Sequence, residues 1–253
     1  MITAQRTLRT GLFILAIDAQ AQGPPPCRTN AQALPEPLLR AADVMWAKRV
    51  WRTVDLRDDA NAALGPSPDT SAACGSLFEV IRFCLLNEAS MTAYHPGATG
   101  TDDRFTRVLR GHELDSLMAR CSPADITGYR IKEDWIFEKQ RSELLVRIIG
   151  LAPLVDLRGP DGDLRGQRVL FWLYWPECRR ALAQWPAARL QPDGERPSYE
   201  ALFRRRRFTS MVIQVSGMDD RTLGATLSGV DAVREAMRLE RALRDREQDL
   251  WHY

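Results

Sequence analysis

A chain of 253 residues, 45% hydrophobic and 27% charged, has the composition of a globular protein and the length to bury a sizeable core. Its formal charge of +2 excludes bulk electrostatic capture of nucleic acid or anionic lipid. Five cysteines without a C-x-x-C pair and three histidines without H-E-x-x-H carry no recognisable zinc spacing, and no dedicated metal site is expected.

The chain opens with "MITAQRTLRTGLFILAIDAQAQGPPP". Arg6 and Arg9 precede a short apolar run from Gly11 to Ile17, and Ala19-Gln20-Ala21 supplies an A-x-A cleavage pattern. Residues 1–21 therefore read as a secretory signal peptide, removed on export. Residues 22–36, rich in proline and polar side chains, read as a linker. Cys27 follows three prolines, and "PPPC" is not a lipobox. Residues 37–253 are expected to form one α+β domain.

Within it, "EPLLRAADVMWAKRVWRTVDLR" carries Leu39, Ala42, Trp46, Val50 and Val54 at steps of three and four. This predicts a helix over 39–56, with a second stripe through Val44, Ala47 and Trp51. So wide an apolar surface needs cover on more than one side. "DDANAALGPSPDTSAACGS", residues 58–76, reads as a loop. A second helix follows with Leu77, Ile81, Cys84 and Leu85 on one face, and a third through "RFTRVLRGHELDSLMAR", interrupted by Gly111. From Tyr129 to Lys139 the odd positions are mostly apolar and the even ones mostly polar, which predicts a half-buried strand. Gln140 to Ser142 can turn, and "ELLVRIIGLAPLV" reads as a central strand. "RGPDGDLRGQ" is a turn and "RVLFWLYW" a third strand. Pro176 opens a helix, Ser198 can cap another, and "SMVIQV" can add a fourth strand. A long helix from Gly229 closes the chain, striped by Ala232, Ala236, Leu239, Leu243 and Leu250, with Glu240 and Arg244 as an i,i+4 pair. The sum is an antiparallel meander covered by helices, with a long C-terminal helix.

Candidate chemistry is sparse. Cys178 falls in the first turn of a helix, where the dipole lowers a thiol pKa, but the sequence places no histidine beside it. Glu133 and Asp134 are adjacent, so on a strand they point to opposite faces and form no dyad. Glu133 is expected to pair with Arg147 on the next strand. An exported hydrolase using Cys178 or a carboxylate pair is the alternative reading. Arg204, Arg205, Arg206 and Arg207 form the densest charge cluster, but consecutive helical residues fan around the axis rather than form one stripe. A basic binding module built on them is a third reading. Tryptophan and arginine also dominate protein–protein contacts, which makes Trp46, Arg49, Trp51, Arg52 and Arg204 to Arg207 the candidate partner-facing residues.

"ADVMWAKRVWRTVDLR", "YRIKEDWIFEKQRSELLVRIIGLAP", "LFWLYWPECR", "LFRRRRFTS" and the final "DLWHY", in that order, resemble the GldN/PorN family. The resemblance covers most of Ala41 to Tyr253. It departs in residues 57–75, 96–105 and 156–168, which here are richer in Ala, Arg and Pro. The resemblance implies a non-enzymatic periplasmic component of the type IX secretion system of Bacteroidota, without a cofactor and coupled in many members to gliding motility. It further implies a ring beneath the outer membrane, built with a GldK/PorK-like lipoprotein and meeting a GldM/PorM-like motor protein.

Overall fold

The computed structural model describes residues 27–66, 74–190, 194–217 and 229–250. The expected signal peptide, the start of the linker, His252 and the end of "DLWHY" lie outside these residues. Seven antiparallel strands form one sheet: β1 (Val44–Asp55), β2 (Ala93–Tyr94), β3 (Ile126–Glu138), β4 (Glu143–Arg158), β5 (Leu164–Val169), β6 (Trp172–Tyr174) and β7 (Met211–Val215). Their order is β2-β6-β4-β3-β1-β7, with β5 paired to β4 beside β6. The helices are α1 (Leu77–Leu86), α2 (His112–Arg120), α3 (Trp175–Ala183), α4 (Tyr199–Arg204) and α5 (Gly229–Leu250).

The segment expected as a helix over 39–56 is instead a short 3-10 turn at Ala41–Asp43 followed by the twelve-residue strand β1. Trp46, Val50 and Val54 are four residues apart. That spacing satisfies a helical stripe, but it is also a multiple of the two-residue strand period. The run is rich in valine and tryptophan, which suit a pleated surface. Pairing on both edges, with β3 and β7, decides the outcome.

The β3–β4 hairpin is the centre of the sheet. Its turn is closed by Glu138, whose carboxylate accepts from the backbone N–H groups of Gln140 (2.7 Å) and Arg141 (3.1 Å). A bulge between Lys132 and Glu133 lets both Gly150 and Ile148 find partners in register. At Gly128 a Cβ would lie 2.5 Å from the Val54 carbonyl oxygen, so only glycine lets β1 approach β3 there. The expected third strand is two, β5 and β6, broken at Leu170–Phe171, and the turn before it is confined to 159–163.

One face of the sheet carries the main core. Val54, Tyr129, Ile131 and Leu151 pack against Leu77, Phe78 and Ile81 of α1, with Leu182 of α3 and Phe203 of α4 in the same cluster. Helix α1 begins with a capping box, in which Ser76 Oγ accepts from Glu79 N–H and the Glu79 carboxylate accepts from Ser76 N–H. The third expected helix is shorter than its pattern. Gly111, at φ +52, precedes α2, and the residues before it run as loop with one bridge between Tyr94 and Val108. Helix α5 lies along the same face over β1 and β7, closing a second cluster of Val50, Val212, Val215, Ala236, Leu239 and Leu243. The opposite face carries a smaller cluster of Ala152, Leu154, Val169 and Trp172, with Trp51, Tyr94 and Phe105 packed on it.

Candidate functional site

The candidate partner-facing residues divide between the two faces of β1. Trp46 sits partly buried beside Trp135 in the cluster under α5. Arg52, on the same side, is buried. Its Nε donates to Ser210 Oγ at 2.8 Å and its terminal nitrogen to Glu240 Oε1 at 3.0 Å. It therefore ties β1 to α5. The same contact redirects Glu240 away from the helical pairing with Arg244 expected from spacing.

On the opposite side, Arg49 makes a two-pronged hydrogen bond to Asp134 (2.7 and 2.9 Å), its cross-strand partner. Trp51 is held in a closed arrangement. Its indole N–H donates to Asp103 Oδ2 at 2.6 Å, and the buried Lys132 ammonium reaches Asp103 Oδ1 at 3.0 Å. That ammonium also faces the Trp51 ring at 5.9 Å and the Phe105 ring at 5.3 Å. The Phe105 ring is brought in close because residue 150 is glycine: a Cβ there would stand 2.7 Å from Phe105 Cζ. Asp103 and Phe105 lie in a loop whose chemistry sequence periodicity does not reveal.

The four arginines that end α4 and follow it do not act as one patch. Arg204 is 3.5 Å from Glu200, and Arg205 and Arg207 are 3.4 and 3.0 Å from Glu195. Arg206 adopts a left-handed backbone, φ +52, and turns inward to Glu133 at 2.8 Å. Glu133 is fully buried and also accepts from the Trp135 indole N–H at 2.8 Å. Its expected partner, Arg147, instead donates to the Pro37 carbonyl oxygen. Asp134, not Glu133, is the residue opposite Arg147 in the ladder. The adjacent carboxylates do project to opposite faces, one to Arg206 and the other to Arg49.

Cys178 lies in the first helical turn of α3 as its position implies, but it is fully buried. Desolvation pushes its thiol up, with the charges of Glu177 and Cys84 adding to the effect. A helix N-terminus lowers a thiol pKa only where the thiolate is solvated. His95 Nδ1 accepts from the Gly97 N–H and is not engaged with this thiol. Among the described residues, no group of three or more His, Cys, Asp or Glu is placed to hold a metal ion. None of their helices is long and apolar enough to cross a membrane.

One large concavity opens on the sheet face opposite the main core. Its volume is 1330 Å³, and its lining includes Thr53 of β1, Arg130 of β3, Met211 of β7, Gln167 of β5 and the loop from His95 to Thr101. Arg57, Arg120, Arg130, Arg165 and Arg168 stand on its walls, with Asp55, Asp58 and Glu113.

A search among curated proteins finds no match. The family described as "Gliding motility associated protein GldN" matches residues 39–252. The match runs from the segment before β1 through all seven strands and α5, and on that ground this chain belongs to the GldN family of gliding-motility and type IX secretion components.

Proposed function

We propose that this protein is a structural, non-enzymatic subunit of the type IX secretion and gliding machine, working in the periplasm against the inner face of the outer membrane. In this reading the export signal is cleaved after residue 21, and a single domain of residues 37–253 assembles into a ring with a GldK/PorK-like lipoprotein. The ring meets the periplasmic part of a GldM/PorM-like motor protein. The family match over residues 39–252 carries the proposal. Two features support it. The best nucleophile candidate, Cys178, is buried with a raised pKa, and the charged side chains singled out from sequence are engaged in holding the sheet together.

A ring needs heterologous contacts, one face of a subunit meeting a different face of the next. Of the eight residues first considered, Arg204 and Arg205 are exposed and are offered as contact residues. Arg49, half-exposed at its paired guanidinium, and Arg207 are placed at the rim. Trp46, Trp51, Arg52 and Arg206 are committed within the subunit. The strap from Arg28 to Arg40 is a further contact surface. It is mostly exposed, it displays Leu34 and Leu38, and it is pinned by Arg179 to the Leu34 carbonyl oxygen (2.6 Å) and to Glu36 (2.8 Å).

The test is co-expression of the mature chain with its cognate lipoprotein, tandem purification and negative-stain imaging. Rings containing both proteins are the expected result. A folded monomer that ignores the lipoprotein would overturn the assembly reading.

A further inference from the structure

Met211, Thr53, Arg130 and Ala152 stand in one row across β7, β1, β3 and β4. The neighbours of Arg130 in this row are a hydroxyl, a methyl and a thioether, and none is a carboxylate. Among the described residues its guanidinium forms no hydrogen bond and no ion pair, and its Nε is buried without a partner. The hydroxyl of Thr53 beside it is likewise buried and unpartnered. Desolvation lowers the Arg130 pKa, with no nearby acid offsetting it. A guanidinium keeps its charge regardless, so the fold carries an uncompensated cation in the concavity. Buried polar groups are satisfied in the great majority of cases, and an exception needs an explanation.

The remaining charges point the same way. Arg120 and Arg168 are exposed on the walls, and Arg165, also exposed there, is paired with Asp161 at 3.2 Å. The acids that share the lining are engaged: Asp55 with Arg57, Asp58 with Thr209, and Glu113 with Arg107. A 1330 Å³ concavity exceeds the roughly 300–1,000 Å³ of a small-molecule pocket and suits an extended segment. One desolvated arginine, with the solvated Arg120 and Arg168 on the walls, matches a chain bearing more than one carboxylate.

We infer that this concavity is a docking site for an acidic peptide segment, one of whose carboxylates pairs with Arg130 and accepts from Thr53. This rests on the assembly reading for its context, a subunit that receives a segment of another protein. Free phosphate shares the anion chemistry, and the experiment separates the two.

The full mature chain is titrated with a fluorescein-labelled Glu-Gly decapeptide and, separately, a Lys-Gly decapeptide, each followed by polarisation, with inorganic phosphate as a competitor. The acidic peptide binds and the basic one does not. Arg130→Met weakens binding by about thirtyfold or more, as expected for truncating one partner of a buried charge pair. Thr53→Val weakens it to a smaller extent. The Tm of Arg130→Met stays level or rises, because the variant removes an unpaired, half-buried charge. Equal binding of the two peptides, undiminished binding by Arg130→Met, or phosphate binding without peptide binding would each overturn the proposal. A large fall in Tm for Arg130→Met would do so too, since it would mark the arginine as structural. Ring formation with the lipoprotein is scored separately. Wild-type chain that binds the peptide but builds no ring sinks the assembly reading alone, and chain that builds rings but ignores the peptide sinks only the docking site.

Discussion

Glu133 is fully buried and owes its compensation to Arg206, 73 residues away in sequence. The two ends of this pair are not equivalent. Arg206 keeps about a third of its side chain in solvent, whereas Glu133 has none. Losing the arginine strands a carboxylate in the core, while losing the carboxylate lets the arginine turn outward. Arg206→Met should therefore destabilise the fold by about 3–5 kcal/mol. Combining it with Glu133→Met should recover most of that loss, because two apolar side chains then replace the pair. Urea denaturation of the single and double variants gives the comparison, and a double variant as unstable as the single would show that packing of Arg206 against Phe208, at 5.4 Å from the ring, matters more than charge. The pairing itself was not legible in the sequence. Alternation placed Glu133 correctly on the Trp135 side of β3, but the choice of Arg206 over Arg147 depends on the left-handed turn at Arg206 and on the bulge that resets β4.

At the scale of elements, α5 is set apart from the rest. Its buried residues Ala236, Leu239 and Leu243 belong to a cluster with β1 and β7, separate from the main core. Arg52 adds the polar link through Glu240 and Ser210. A helix held by one small cluster opens at lower free energy than the central hairpin. Arg52→Met should cost about 1.5–3 kcal/mol, the range for hydrogen bonds involving a charged group. The loss should be local: amide exchange of α5 and β7 accelerates while that of β3 and β4 stays slow, as hydrogen-exchange mass spectrometry can resolve. Uniform acceleration across the sheet would contradict the separation. The stripe of α5 was readable because its spacing, unlike that of β1, fits only a helix. In β1 the four-residue repeat fits both periods, and only the availability of β3 and β7 as pairing partners decides between them.

For the whole molecule, the buried thiols and phenols bias stability towards neutral pH. Burial pushes the Cys84 thiol up from 9.0 to about 11 and the Cys27 thiol to about 12, and it raises Cys178, Tyr129 and Tyr199 as well. Each group binds its proton more tightly in the folded chain than in the unfolded one. The stability this confers is complete below the unfolded thiol value near 9 and is lost as pH rises towards the folded values. Melting curves under reducing conditions should hold level between pH 7 and about 8.5, then fall steadily above about pH 9. A Tm unchanged at about pH 10.5 would mean that these groups are solvated in the folded chain. Composition, period and turn chemistry by themselves determined that the chain is α+β, where the β3–β4 hairpin turns, and where α1, α3 and α4 begin, because loop composition, a helix-opening proline, an N-cap serine and apolar alternation act over a few residues. The ordered motifs also carried the family resemblance, since they span nearly the whole domain. Only tertiary structure decided that 44–55 is a strand, that the Arg204–Arg207 run is divided among three acids, and that Arg130 is left without one. Those outcomes depend on which distant residues the sheet brings into register, and local sequence does not encode that distance.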